Sequence, residues 1–187
     1  DIKAQNNLGK FYLNEKYNKF DIDKAIHYYS LAANQNDSNA QFNLGCIYLE
    51  GKYITRDIDK AIYYYSLAAN QNDADAQFNL GLIYSNNKYI ARDIDKAIYY
   101  YSLSANQNYV KAQFITGLIY SNDNYNIFDI DKAIHYLSLA ANQNDVGAQF
   151  NLGCIYLKGK YIARDIDKAI YYYSLAANQN DADAQFN

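Results

Sequence analysis

The sequence predicts an all-α fold, a right-handed superhelical α-solenoid of antiparallel helix pairs with a 36-residue period. Two observations carry this. The hexapeptide Asp-Ile-Asp-Lys-Ala-Ile recurs at residues 21, 57, 93, 129 and 165, always 36 residues apart, and self-similarity at a fixed period of about 20–50 residues marks a stacked repeat protein. Within each period the apolar residues fall at helical rather than strand spacing.

Residues 39–74 serve as one unit. Ala40, Leu44, Ile47 and Tyr48 stand at i, i+4, i+7 and i+8, one face of a first helix. Asp37 or Asn36 is placed to cap its start. Gly51 is placed to end it, with Asn87, Asp123 and Gly159 in register, residue types that tolerate a left-handed turn. Glu15 fits that position poorly. Asp57 is the natural N-cap of a second helix, and Asp59 suits its first turn. Ile58, Ala61, Ile62, Tyr65, Ala68 and Ala69 make its apolar face. Asn72 follows as a left-handed C-terminal cap, with Asn36, Asn108, Asn144 and Asn180 in register. Gly45, Ala61, Ala68 and Ala69 let the helices approach closely, while Tyr48 and Tyr65 fill the layer between them.

The whole of 1–187 reads as a single array of five full repeats and a truncated sixth, a fragment of a longer array. A second period overlies the first. Residues 147–187 match residues 39–79 at all but three positions, 147, 158 and 163. Phe20 and His27 return as Phe128 and His135, where other repeats have Arg and Tyr. The array looks like a duplicated three-repeat block; the paired exchanges, seven residues apart, hint at contact along one helix face, and shared ancestry explains them equally well.

A net charge of −3 with no basic block argues against nucleic acid and anionic membranes as partners. No apolar run approaches the ~20 residues of a membrane span. Cys46 and Cys154 lie three repeats apart, about 30 Å at roughly 10 Å per helix layer. A disulfide needs a Cα separation of about 4.4–6.8 Å. The fold therefore needs no oxidising compartment, and a cytoplasmic setting is expected.

The pattern Ala40-x-x-x-Leu44-Gly45-x-x-Tyr48, a loop, then Asp57-x-x-Lys60-Ala61-x-x-Tyr64-Tyr65-x-x-Ala68-Ala69 resembles the Sel1-like repeat, a 36-residue relative of the tetratricopeptide repeat. The resemblance covers the whole chain. Tyr53 stands where that family usually has a second loop Gly, and Asn72 replaces the usual Gly after the second helix. A cysteine-rich bacterial branch staples each repeat with a disulfide, a pattern this chain lacks. The resemblance implies an adaptor that scaffolds complexes, as family members do in membrane-protein degradation, cell-wall synthase activation and signalling. It also implies that first helices line a concave groove.

On the first helix, Phe42, Cys46 and Leu49 are expected opposite the core face, flanked by Asn43. Asn7, Asn79 and Asn151 stand in register with Asn43, and Ile115 breaks the series. Asn offers both a donor and an acceptor to an extended backbone. The candidate partner-binding residues are therefore Asn43, Asn79 and Asn151, with Phe42, Phe78, Phe114 and Phe150 giving apolar contact. The bland alternative is that the phenylalanines pack against neighbouring first helices and the asparagines satisfy local backbone. On the second helix, Tyr63 and Leu67 with Lys60 form an outer stripe, which could be a patch or simply i, i+4 pairs.

No catalytic arrangement is legible. His27 and His135 replace Tyr63, Tyr99 and Tyr171 as surface variants. The segment from Asp123 to Phe128 lacks the Gly and Glu of a calcium loop. Asn36-Asp37-Ser38 forms a glycosylation sequon of no weight by itself. The expectation is a non-enzymatic protein-interaction scaffold with no cofactor, no metal and no small-molecule substrate, binding other proteins. Two alternatives stay open: an accessory or regulatory segment of a larger enzyme, and a lumenal array.

Overall fold

A computed structural model describes the backbone of residues 1–185 and the side chains as far as Gln179. Ten helices follow one another, with no strand among the described residues: α1 (Ile2–Leu13), α2 (Ile22–Ala33), α3 (Ser38–Glu50), α4 (Ile58–Ala69), α5 (Ala74–Ser85), α6 (Ile94–Asn106), α7 (Val110–Ser121), α8 (Ile130–Asn142), α9 (Val146–Lys158) and α10 (Ile166–Gln185). They form two compact units, Asp1–Tyr100 and Tyr101–Asn187.

Each helix pair closes its own loop. The Asp57 N–H donates to the Tyr48 carbonyl at 3.0 Å, and Asp21, Asp93, Asp129 and Asp165 do the same to Tyr12, Tyr84, Tyr120 and Tyr156. This satisfies a carbonyl orphaned at the end of the first helix. It also sets the start of the second helix beside that end, so the pair runs antiparallel. Asp57 then caps α4 by accepting from the Lys60 N–H at 3.0 Å, and its other oxygen pairs with the Lys60 ammonium at 3.3 Å. That ammonium lies 4.9 Å from the centre of the Tyr48 ring, which stacks on Tyr64 at 5.8 Å. The same Asp–Lys–Tyr–Tyr arrangement holds α1 to α2, α7 to α8 and α9 to α10.

The core follows the predicted faces. In the first unit Ala40, Leu44, Ala61, Tyr65, Ala68 and Ala69 are buried. In the second, Leu137, Ala140, Ala148 and Leu152 are buried. The small residues matter for geometry. A Cβ added at Gly45 would stand 2.6 Å from the Tyr65 ring, and one at Gly153 2.6 Å from Tyr173.

Turn chemistry matches the sequence at most joints. Asn36, Asn72, Asn108 and Asn144 all have φ between 62° and 67°, and Gly51 has φ 62°. Two expectations fail. At Asn87 and Asp123 no left-handed turn forms. Their helices end earlier, with Asn86 and Asn122 in extended conformations. The reason is local: the Asn86 and Asn122 side chains accept from the N–H two residues on, at 2.9 and 3.1 Å, an Asx turn that draws the chain out of the helix. Glu50 and Lys158 occupy that place in α3 and α9, and those helices run on to Gly51 and Gly159. The other failure is at Asn180, where α10 continues as helix to Gln185 instead of turning. Elsewhere the turn is clamped from the following helix, as when Gln41 donates to the Asn36 Oδ1 at 3.3 Å.

Candidate interaction surface

The first-helix residues do more structural work than expected. Phe42, Cys46 and Leu49 are half-buried and pack against the cluster that holds Tyr65 and Leu80. The Phe42 ring centre lies 5.7 Å from that of Tyr65, whose hydroxyl donates to the Cys46 Sγ at 3.3 Å. The expected placement opposite the core is thus corrected: α3 carries two apolar faces, because Ala40, Leu44 and Ile47 pack with α2 while Phe42, Cys46 and Leu49 meet the cluster built by α4 and α5. Phe78 is half-buried. In the second unit Phe114 covers Gly147, where a Cβ would meet its ring tip at 2.9 Å. Phe150 differs, being 54% exposed beside Tyr173.

Asn43, Asn79 and Asn151 are all half-buried. Asn79 donates to the Asp75 carbonyl at 2.8 Å and Asn151 to the Gly147 carbonyl at 2.7 Å, each four residues back along its own helix. That fixes the amide while leaving its second N–H and its oxygen. Ile115, also half-buried, offers neither.

Among the described residues, each unit has a cavity opening on this face. The first, of about 360 Å³, is lined by Asn43, Cys46, Ile47, Glu50, Lys52 and Tyr53 with Leu13. The second, of about 260 Å³, is lined by the equivalents Asn151, Cys154, Ile155, Lys158, Lys160 and Tyr161, with Ser121 and Asp123 among others. A loop-to-loop strap borders each. Lys52 pairs with Glu15 and lies 4.6 Å from the Tyr53 ring centre. Lys160 pairs with Asp123 at 2.7 Å, and Tyr161 donates to the same carboxylate. Those two hydrogen bonds hold the Asp123 carboxyl below the usual carboxylate range. Phe20 packs on Tyr53 at 4.7 Å and Phe128 on Tyr161 at 4.6 Å. The side-chain partner of Phe20 is thus Tyr53 of the following repeat, and His27 instead stands edge-on to Tyr28 at 5.3 Å. Both cysteines are free thiols. Burial pushes the Cys46 thiol up, the opposite of an activated nucleophile.

Sequence reasoning missed the buried glutamines. Gln41, Gln77, Gln113 and Gln149 are each 1% exposed. Their shared register was the available signal. On the outer face Tyr63, Tyr99 and Tyr171 are 58–59% exposed, and Leu67 is half-buried. His27 and His135 are exposed at the equivalent positions. Among the described residues no cluster of His, Cys, Asp or Glu could hold a metal ion. No helix among the described residues is long and apolar enough to cross a membrane.

Antiparallel helix pairs of 36 residues, joined by the same contacts throughout each unit, define an α-helical repeat protein of the solenoid class. The chain belongs to the Sel1 family: its Sel1 repeat model matches residues 2–37, 38–73, 74–109, 110–145 and 146–181. Among solved structures, a protective antigen of uropathogenic Escherichia coli with an SLR fold is similar at 30% identity and TM-score 0.88 over 99% of this chain. This chain spans 40% of that antigen's length. A Sel1 repeat protein from Oxalobacter formigenes is 29% identical with TM-score 0.77, covering 96% of this chain and 71% of its own. No curated protein matches in sequence. Proteins of this family generally act as protein-interaction scaffolds rather than catalysts.

Proposed function

We propose that the chain is a non-catalytic scaffold whose first-helix face binds an extended segment of a partner protein. Asn79 and Asn151 carry the reading. Each amide is oriented by its own helix yet keeps a donor and an acceptor, the pair an extended backbone demands. Asn43 repeats the side chain at the first cavity. Phe42, Phe78, Phe114 and Phe150 supply apolar ring contact, Phe42 and Phe114 while also packing within their own units. Each Asn–backbone hydrogen bond contributes ~0.5–1.5 kcal/mol net, so affinity is shared among repeats, with a gap at Ile115. The two free thiols support work in a reducing compartment such as the cytoplasm.

The test is capture of partners by wild type and by the Asn43/Asn79/Asn151 triple Ala variant. Loss of the same partners from a variant that still melts cooperatively supports the groove. Unchanged affinity rejects it. The exposed Tyr63, Tyr99 and Tyr171 then make the outer stripe the binding surface, to be tested by their triple Ser variant.

A further inference from the structure

The copies spanning 39–79 and 147–187 differ at three positions, and one difference reverses a charge: Glu50 in the first is Lys158 in the second. The other two exchange Asn39 for Gly147 and Thr55 for Ala163. Glu50 and Lys158 both line the cavity of their own unit, among equivalent neighbours. The other lysine at each cavity is already paired, Lys52 with Glu15 and Lys160 with Asp123. Glu50 and Lys158 are exposed and make no ion pair or side-chain hydrogen bond among the described residues. Each cavity thus has one uncommitted charge, and its sign is opposite in the two.

We infer that these are two copies of one side-chain pocket with inverted preference: the Cys154 pocket takes an Asp or Glu side chain of a bound segment, and the Cys46 pocket takes a Lys or Arg side chain. The inference rests on the first-helix reading above and names the partner chemistry it selects. Size agrees. Cavities of about 260 and 360 Å³ fall at or below the low end of the about 300–1,000 Å³ typical of small-molecule sites. They suit one side chain, its stem on Ile155 or Ile47 and its charged head at the rim. The thiol at each wall adds a small apolar surface.

The experiment uses the full chain and three fluorescein-labelled, end-blocked heptapeptides, Ser-Thr-Val-X-Val-Thr-Ser, where X is Glu, Lys or Gln. Fluorescence anisotropy gives their affinities for wild type, Glu50→Lys, Lys158→Glu and the control Lys111→Glu. Lys111 is exposed and lines neither cavity. An exposed ion pair of ~0.2–1 kcal/mol corresponds to about 1.4- to 5-fold in affinity. Glu50→Lys should tighten the Glu peptide and weaken the Lys peptide by that factor. Lys158→Glu should do the reverse, and Lys111→Glu should change neither. The Gln peptide should respond to no substitution. If all three peptides bind but no affinity follows residues 50 and 158, the charge inference falls while the groove reading stands. If Lys111→Glu acts like Lys158→Glu, the effect is one of net charge and the pocket assignment falls. If no peptide binds wild type, the inference is overturned, and the groove reading is judged by its own capture experiment.

Discussion

Gln71 donates its side-chain amide to the side-chain carbonyl of Gln41 at 2.7 Å. Gln41 in turn donates to the main-chain carbonyl of Ala33 at 3.2 Å. One buried amide therefore joins the end of one helix pair to the turn that follows the second helix of the next. The arrangement recurs at Gln113, between Ala105 and Gln143, and at Gln149, between Ala141 and Gln179. Most buried polar groups are partnered in this way.

Replacing Gln41 with Leu removes the second donor to the Ala33 carbonyl, which keeps the Asn36 N–H at 2.9 Å, and breaks the side-chain bonds to Asn36 and Gln71. Each lost hydrogen bond costs ~0.5–1.5 kcal/mol net, and Gln41 gives up several, so the urea midpoint should fall. Gln71 is exposed, and water replaces its bond in Gln71→Ala, which should cost under ~1 kcal/mol. Equal losses would show that Gln41 does not carry the joint.

Tyr65 is 1% exposed and Tyr63 58%. Tyr65→Ala should cost ~3–5 kcal/mol, as large aromatic truncations do, and Tyr63→Ala under ~1 kcal/mol. Paired urea melts decide it. Because the Tyr65 ring lies where a Cβ on Gly45 would stand, Gly45→Ala should also destabilise despite its gain in helix propensity.

Thr116 is fully buried where α3, α5 and α9 place Leu44, Leu80 and Leu152. Its hydroxyl has no hydrogen-bond partner among the described residues. Thr116→Val keeps the shape and removes the stranded group, so it should raise stability by ~1–3 kcal/mol. A melt showing no gain would mean the hydroxyl is satisfied in solution.

Burial pushes the Tyr29 hydroxyl up to about 12 and raises Tyr65 as well. Unfolded tyrosine titrates near about 10. Above that pH the unfolded chain has released protons that the folded chain still holds. Stability is thus fully present below pH ~10 and declines as pH rises towards ~12, by ~1.4 kcal/mol per pH unit for each such tyrosine. Urea midpoints should be level from pH 8 to 9.5 and drop by pH 11. A level profile to pH 11 would contradict these burials.

Helix faces and caps were legible because they follow from period and residue type. The left-handed Asn36, Asn72, Asn108 and Asn144 are instances, since few residues besides Gly and Asn accept that conformation. Gln41 was not legible by type, since Gln is mostly exposed, although its register placed it beside Ala40 on the core side. Asn87 was misread because the Asx turn of Asn86 acts one residue earlier. The candidate site was legible only in part. The sequence located Asn79 and Phe114 on the first helix, but which face a neighbour covers depends on packing between repeats. That packing makes Phe114 a cover for Gly147 and sets Phe42 against the cluster of α4 and α5.

Each helix pair closes its own loop through the bond from Asp57, or its counterpart, to the preceding Tyr carbonyl. No long-range segment is needed to complete any one of them. A gene built from such blocks can therefore lengthen or shorten by unequal crossing-over in steps of whole repeats, with every junction still chemically matched. The two near-identical stretches, 39–79 and 147–187, are the imprint such an exchange leaves, and they supply the homology for the next one.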